Sequence, residues 1–221
     1  MLNLFAHRGF WQEKNLQNSI ASLDAAASQK FFGVEFDIWL CDGKLVLKHD
    51  EPLPGEALPL FHQYLKYKNE LHYWLDFKNL DEKNCAEIFA QVQIVLSENH
   101  IDLNKVFFAP FITDYILAKK ILEKAREVFG KKIHFVAVCE KKENMAALQN
   151  FLEKNHVTHL SIFHGLLDKN SLKNFSTVEI FAWTLNDKAR IAELAALGVT
   201  NFATDKITPQ IYENTKSASG S

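Results

Sequence analysis

Short apolar runs rich in β-branched and aromatic residues alternate along the chain with longer segments whose apolar residues recur at helical spacing. The short runs predict nine strands, at residues 2–7, 33–40, 44–49, 71–78, 105–111, 132–139, 159–163, 179–186 and 201–205. The longer segments predict helices at 18–30, 81–99, 113–130, 142–155 and 186–198. The expected N-caps are Asn18 or Ser19 for the first helix and Thr113 for the third, while Gly130 and Gly198 end the third and last helices.

This alternation predicts the fold class. If residues 44–49 form an accessory strand, eight strands remain between helices, which favours an α/β TIM (β/α)8 barrel, with a doubly wound open sheet as the alternative. No linker rich in proline, glycine or serine interrupts the pattern, so residues 1–214 are expected to form a single domain. Residues 215–221 are small and polar, which predicts a disordered tail or an expression remnant.

Composition and charge indicate which kinds of binding partner to expect. The 221 residues carry a net charge of -2 and contain no Lys/Arg-rich run, so neither nucleic-acid binding nor a polybasic membrane patch is expected. No apolar run approaches the ~20 residues of a transmembrane segment. Cys41, Cys85 and Cys139 lack metal-type spacing and predict free thiols in a reducing, cytoplasmic setting. The expected partner is a small molecule, and the oligomeric state is left open.

Polar side chains collect where the first predicted strands end, which in a barrel is the catalytic face. The first strand ends in His7 and Arg8, and the second carries Glu35 and Asp37. Because residues two apart in a strand share a face, both carboxylates are expected inside the barrel, with the alternate apolar residues facing the helices. The third barrel strand repeats this spacing with Asp76 and Lys78, and a turn at 42–43 leads to His49.

These residue types favour phosphodiester cleavage. Converging carboxylates raise one another's pKa unless a cation is present, and an all-oxygen donor set favours Mg²⁺ or Ca²⁺ over Zn²⁺. A metal together with Arg8 and Lys78 would neutralise phosphoryl oxygens. His7 and His49 are suited to the proton transfers at the attacking and leaving oxygens.

The same residues lie in motifs that resemble those of the glycerophosphodiester phosphodiesterase family, a TIM-barrel family with a phospholipase C-like fold. The segments are AHRG (6–9), QNSIASLDAA (17–26), GVEFDIWLCDGKLVLKHD (33–50), YWLDFK (73–78), FAWTLN (181–186) and GVTNFATD (198–205). The resemblance implies metal-dependent cleavage of a glycerophosphodiester to an alcohol and glycerol 3-phosphate. It also implies roles for single residues: acid–base catalysis for His7 and His49, metal binding for Glu35, Asp37 and Asp76, and substrate contacts for Arg8, Lys78 and Trp183.

The chain departs from the family pattern at three places. Leu16 and Gln17 replace the proline and glutamate of a PENT motif, and Asp76 replaces a glutamate, one methylene longer, as third ligand. About 25 residues separate His49 from Asp76, where typical bacterial members insert a small subdomain. This segment has room for one helix at most, which predicts a shallower or differently covered pocket.

Two other functions and several structural explanations fit parts of this pattern. A phospholipase D-like lyase resembling sphingomyelinase D would release a cyclic phosphate, and a catalytically weak barrel would bind phosphorylated metabolites without turnover. Structurally, His7 and Arg8 could be a surface pair, Glu35 and Asp37 the exposed face of an edge strand, and Asp76 and Lys78 a salt bridge. Trp183 could pack in the barrel or contact substrate, and His164 is a further pocket candidate.

Overall fold

The computed structural model describes residues 2–131 and 133–218. Within these residues nine strands form one sheet: β1 Asn3–His7, β2 Gly33–Cys41, β3 Lys44–Leu47, β4 His72–Phe77, β5 Val106–Pro110, β6 His134–Cys139, β7 His159–Phe163, β8 Glu179–Trp183 and β9 Asn201–Thr204. Every predicted strand is present, with its ends shifted by three residues or fewer.

The sheet closes on itself. β1 pairs in parallel with β2 on one side and with β9 on the other, so eight parallel strands form a barrel and the open-sheet alternative is excluded. β3 is antiparallel to β2 and lies outside the barrel, which confirms its prediction as an accessory strand. The fold is therefore an α/β TIM barrel.

Seven α-helices in the described residues surround the barrel: α1 Ile20–Ser28, α2 Cys85–Glu98, α3 Tyr115–Phe129, α4 Met145–Asn155, α5 Lys169–Lys173, α6 Lys188–Ala196 and α7 Pro209–Ala218. The five predicted helices are confirmed, while α5 and α7 had no predicted counterpart. Ser19 caps α1 as predicted, but the prediction of Thr113 as the cap of α3 is wrong. The Asp114 carboxylate accepts from the backbone N–H groups of Ile116 and Leu117 there, satisfying two otherwise unpaired donors.

α7 includes residues 215–218 of the predicted tail, and residues 219–221 of that tail lie outside the described residues. Among the described helices none is both long and apolar enough to cross a membrane. All three cysteines are free.

The apolar residues divide between two cores. The larger core lies between the strands and the helices and contains Val34, Phe36 and Ile38 of β2. The smaller core fills the barrel interior and contains Phe5, Trp74, Phe107, Ala109, Val136, Phe181 and Ala203. Its aromatic rings meet at centroid distances of 4.8 to 6.0 Å, mostly edge to face or tilted. We call this interior cluster the aromatic plug, and it closes the barrel below the polar strand ends.

The segment between β3 and β4 contains one short 3-10 helix, Phe61–Leu65, as the shortened insertion predicted. This helix buries Phe61, Tyr64 and Leu65 fully in the larger core, which lies between the strands and the helices. The segment therefore serves as packing for the barrel wall.

The turn after β1 fixes the position of the first functional residues. Arg8 and Gly9 both have positive φ, 58° and 77°. A Cβ on residue 9 would lie 2.3 Å from Ser22 Oγ and 2.8 Å from Tyr64 Oη, so only glycine fits between these side chains. The Ser22 hydroxyl in turn donates to the Arg8 carbonyl at 3.2 Å. This packing locks the turn that carries His7 and Arg8.

Candidate active site

One cavity of about 370 Å³ opens at the carboxyl ends of the barrel strands. It is lined by His7, Arg8, Glu35, His49, Trp74, Asp76, Lys78, Ala109, Phe111, Val138, Glu140, Ser161, Trp183, Thr184 and Ala203. Seven of the eight site residues proposed from the sequence line this cavity, and the eighth, Asp37, is buried beside them. His164 does not line it.

Three carboxylates meet at the base of the cavity. Glu35, Asp37 and Asp76 each offer an oxygen within 4.8 Å of the others, so Asp76 reaches the group despite its short side chain. Glu35 and Asp37 are 3% and 0% exposed, which excludes the edge-strand explanation. Asn18 fixes Asp37, donating from Nδ2 to Oδ2 at 2.7 Å and accepting from the Asp37 backbone N–H at 3.0 Å. The sequence analysis considered Asn18 only as a helix cap.

The electrostatics of this group suit a divalent cation. Burial, reinforced by the Asp37 charge, raises the pKa of Glu35 to about 7. Burial also raises the pKa of Asp76 to about 6, although Lys78 opposes the rise. Asp76 Oδ1 is buried and has no hydrogen-bond partner among the described residues. Three buried oxygen donors with excess negative charge fit a hard cation such as Mg²⁺ or Ca²⁺.

Two basic side chains border the carboxylates. Lys78 Nζ lies 2.7 Å from both Asp37 Oδ1 and Asp76 Oδ2, so the predicted salt bridge exists and extends to a second aspartate. Burial disfavours the charged ammonium, but Asp76 and Asp37 outweigh it and raise the pKa of Lys78. Arg8 Nε lies 3.3 Å from Asp37 Oδ2, and its backbone N–H donates to Glu35 Oε2 at 2.9 Å. Both side chains also line the cavity, where their positive charge faces any bound anion.

His7 is held by a carboxylate that the sequence analysis did not single out. Its Nδ1 lies 2.7 Å from Asp205 Oδ1, and its Nε2 lies 3.8 Å from Glu35 Oε2. The other Asp205 oxygen accepts from Asn186 Nδ2 at 2.8 Å. Burial alone would lower the pKa of His7, but Glu35 and Asp205 outweigh it, so the pKa is raised. This arrangement fixes the imidazole and leaves Nε2 facing the carboxylates.

The closure of the barrel would have indicated that Asp205 lies beside His7. It follows β9 as His7 ends β1, and these strands are paired with Ala6 opposite Thr204. In a closed barrel the ends of the first and last strands are neighbours, although 198 residues separate the two side chains in sequence.

Asp205→Asn is expected to lower turnover of a substrate about 10- to 100-fold without unfolding the protein, because an amide cannot stabilise the His7 imidazolium. The limb of the kcat profile that reports His7 should move to lower pH, since Asp205 contributes to the raised pKa of His7. Steady-state rates across pH test this expectation. A matched change at Asp168, a helix cap far along the chain, should leave the profile in place, and an unshifted profile in Asp205→Asn would contradict the assignment.

His49 lies on the loop after β3 and lines the same cavity as His7. Its side chain is 41% exposed, and its Nδ1 lies 2.7 Å from Asp50 Oδ1. The two histidines therefore differ in setting: His7 is enclosed by carboxylates, whereas His49 is partly exposed to solvent and contacts one exposed carboxylate.

The part of the cavity wall that comes from β5 to β8 contains two aromatic side chains, Phe111 and Trp183. The Trp183 ring centroid lies 6.1 Å from that of Phe111 and 5.8 Å from that of Phe163. Trp183 therefore packs in the wall and also lines the cavity, and its contact with substrate stays a prediction. Its Nε1 is buried and has no acceptor within the described part of the chain. Glu140, which the sequence analysis did not select, is exposed at this wall.

Two further histidines, His134 and His159, lie at the amino ends of their strands and do not line the cavity. His134 Nδ1 and His159 Nε2 lie 3.2 Å apart, and Glu179 Oε2 lies 3.5 Å from His159 Nε2. Both histidines begin their strands and therefore lie at the barrel end remote from the cavity.

Together these features define the class of the molecule as a TIM barrel with an acidic, histidine-containing site at the catalytic end. Comparison of the sequence alone with protein-family models and with curated proteins gives no match.

Solved structures, in contrast, resemble this one over nearly its whole length. A glycerophosphodiester phosphodiesterase from Parabacteroides distasonis superposes with a TM-score of 0.78 at 20% identity, covering 98% of each chain. A phosphodiesterase from Oleispira antarctica, in complex with the product sn-glycerol-3-phosphate, gives 0.76 at 20% identity, covering 99% of this chain and 97% of the other. A calcium-dependent phosphoinositol-specific phospholipase C from Pseudomonas sp. gives 0.60 at 13% identity, covering 91% and 88%. At these identities the likeness establishes the shared barrel fold.

Proposed function

We propose that this protein is a phosphodiesterase that uses one divalent ion, Mg²⁺ or Ca²⁺, to hydrolyse a glycerophosphodiester to an alcohol and glycerol 3-phosphate. The observation that carries the proposal is the convergence of three carboxylates, two basic side chains and two histidines on one cavity at the catalytic end of the barrel. The resemblance to solved phosphodiesterases, one of them holding sn-glycerol-3-phosphate, supports the same reaction.

Glu35, Asp37 and Asp76 would hold the ion, and the bound ion would supply Lewis-acid stabilisation of charge on the phosphoryl oxygens. Asn18 keeps Asp37 in place through its two hydrogen bonds. Arg8 and Lys78 add positive charge on the cavity wall, where phosphoryl oxygens would bind.

The chain supplies groups for both proton transfers. Water attacks phosphorus while one histidine takes its proton, and the phosphorus–oxygen bond to the alcohol breaks while the other histidine protonates the alkoxide. His7 Nε2 and the exposed His49 both line the cavity, so one group serves each transfer. The aromatic plug closes the barrel interior below, which keeps bulk water from entering on that side.

Phosphorus NMR of reactions with glycerophosphocholine, glycerophosphoethanolamine and glycerophosphoglycerol tests the proposal. We expect a metal-dependent monoester signal from glycerol 3-phosphate that disappears with chelator and returns with Mg²⁺ or Ca²⁺. A persistent cyclic phosphate signal would show the lyase reaction instead. Binding of metal and phosphate without turnover of any diester would favour a binding barrel and overturn the proposal.

Gln17→Glu is expected to raise KM about three- to tenfold with a smaller change in kcat. Arg8 Nη1 donates to Gln17 Oε1 at 3.2 Å, so a carboxylate there would pair with the guanidinium and weaken its attraction for phosphate. The family glutamate at this position is thus replaced by a neutral acceptor, so Asp37 is the carboxylate within ion-pair distance of the Arg8 guanidinium among the described residues. Initial rates at several substrate concentrations test this, with Gln12→Glu, on the exposed part of the same loop, as the control. An unchanged KM in Gln17→Glu would contradict a phosphate-binding role for Arg8.

A further inference from the structure

The position of His49 in the cavity is set by the backbone of its loop. The Nδ1 atom of His49 lies 2.7 Å from Oδ1 of the neighbouring Asp50, whose side chain is 79% exposed. An exposed pair of this kind contributes little to order, because water competes for both groups. The placement of His49 therefore depends on how the chain is held at Lys48, the residue before it.

Both backbone polar groups of Lys48 are bound by β2. The indole N–H of Trp39 donates to the Lys48 carbonyl oxygen at 2.9 Å, and the Lys48 N–H donates to the carbonyl oxygen of Asp37 at 3.3 Å. The regular pairing of β2 with β3 ends with Ile38 opposite Leu47. The Trp39 side chain thus holds the chain at the first residue beyond this pairing, directly before the catalytic-loop histidine.

Trp39 reaches this carbonyl from the strand that carries two of the candidate metal ligands. It lies two residues after Asp37, so the two side chains project from the same face of β2. Asp37 is fully buried, whereas Trp39 is half-buried and is not one of the described residues that line the cavity. Its indole can therefore act on the reaction through the loop that it holds, without contacting a ligand in the cavity.

Trp11 makes the same type of bond at the other histidine. Its Nε1 donates to the His7 carbonyl oxygen at 3.0 Å. The His7 imidazole also has the Asp205 carboxylate 2.7 Å from its Nδ1, so more than one contact holds it in place. The imidazole of His49 has one exposed carboxylate beside it and no second contact among the described residues. The bond from Trp39 therefore has the larger share in positioning its histidine.

We propose that Trp39 is a positioning residue for His49, acting through the backbone of Lys48. This inference rests on the proposed function, in which His49 carries out one of the two proton transfers. Loss of the indole N–H frees the Lys48 carbonyl and lets the following residue shift relative to the bound phosphodiester. A displacement of about 1 Å can lower a reaction rate by about 10²-fold, so one hydrogen bond at this point has a measurable effect on kcat.

A double-mutant cycle in kcat for glycerophosphocholine, measured under metal saturation, tests this role. Trp39→Phe keeps an aromatic ring and removes the donor, so we expect kcat to fall about tenfold while KM stays within about twofold. In protein that already carries His49→Ala, Trp39→Phe should change kcat by less than about twofold, because the group that Trp39 positions is absent. Losses that multiply in full, or an unchanged kcat in Trp39→Phe, would overturn the proposal.

Trp11→Phe is the matched control, because it removes the same type of donor from the other histidine. Its loss should persist in His49→Ala protein and disappear in His7→Ala protein. Calorimetric titration with Mg²⁺ or Ca²⁺ distinguishes an effect on His49 from an effect on the metal ligands of β2. The metal affinity of Trp39→Phe should stay within about twofold of the native value. A larger decrease would show that Trp39 acts on the metal ligands and would overturn the proposal.

Amide hydrogen exchange separates this inference from the proposed function, because it needs no turnover. The Lys48 amide should exchange about tenfold faster in Trp39→Phe than in native protein, and the amides of β6 should exchange at native rates in both. Faster exchange at Lys48 without hydrolysis of any diester would overturn the phosphodiesterase and support the anchoring by Trp39. Hydrolysis by native protein with unchanged exchange in Trp39→Phe would overturn the anchoring and leave the phosphodiesterase standing.

Discussion

His7→Ala is expected to lower kcat on a glycerophosphodiester by about 10²- to 10⁴-fold, the usual contribution of a positioned acid or base. Asp205 and Glu35 position the His7 imidazole at the cavity, and among the described lining residues His49 is the one other imidazole. His49→Ala should give a loss of similar size, since each proton transfer needs its own group. Initial rates under metal saturation measure both effects.

The matched control is His62→Ala, which removes an exposed imidazole from the 3-10 helix between β3 and β4. This variant should keep native rates. Thermal unfolding should show that His7→Ala remains folded, so that a lost rate reports chemistry. Turnover by His7→Ala within about threefold of native protein would refute the acid–base assignment.

Glu35→Gln is expected to change stability and activity in opposite directions. In metal-free protein at pH 8 it should stabilise the fold by about 1 to 2 kcal/mol, because it removes a buried carboxylate whose pKa is raised from 4.5 to about 7. The same substitution should abolish metal-dependent hydrolysis, because one of the three charged oxygen donors is lost.

The sign of the pH dependence follows from the raised pKa. The native state binds a proton at Glu35 more tightly than the unfolded chain does, so the ionised group lowers stability above about pH 4.5, and the penalty reaches its full size above about pH 7. The difference in unfolding free energy between Glu35→Gln and native protein should therefore be largest at pH 8 and disappear near pH 4.5. Urea unfolding across this range measures it.

Saturating Mg²⁺ or Ca²⁺ supplies the second half of this test. Bound metal should raise the Tm of native protein, by linkage, and should raise that of Glu35→Gln much less. Glu70→Gln is the control, because Glu70 is exposed and forms no ion pair with any residue in the described chain. A metal-induced shift of equal size in native protein and Glu35→Gln would show that the ion binds elsewhere.

The fold was predictable because the alternation of residues along each strand indicates which side chains face the barrel interior and which face the helices. Glu35 and Asp37 alternate with Val34, Phe36 and Ile38, and this local pattern already determines which side chains enter the barrel. The positions at strand ends followed from the same reasoning, since parallel strands in a barrel present their carboxyl ends together.

What the sequence did not reveal depends on contacts between distant segments. Asp205 reaches His7 only when the last strand closes on the first, and Asn18 reaches Asp37 from a position 19 residues earlier in the sequence, just before α1. Glu140 looks like any exposed charge after a strand until the closed barrel places it in the lining of the cavity that also contains Lys78. The short helix α5 has too few turns to show a hydrophobic period, so its pattern gave no signal.

The aromatic plug determines how reactants and products can enter and leave the cavity. The plug blocks the barrel axis with the packed rings of Phe5, Trp74, Phe107 and Phe181. Within the described residues, the cavity therefore opens only at the carboxyl ends of the strands. Reactants and both products must then use the same opening at the strand ends. A long chain cannot thread through this barrel; any extension of the substrate must point outward into solvent.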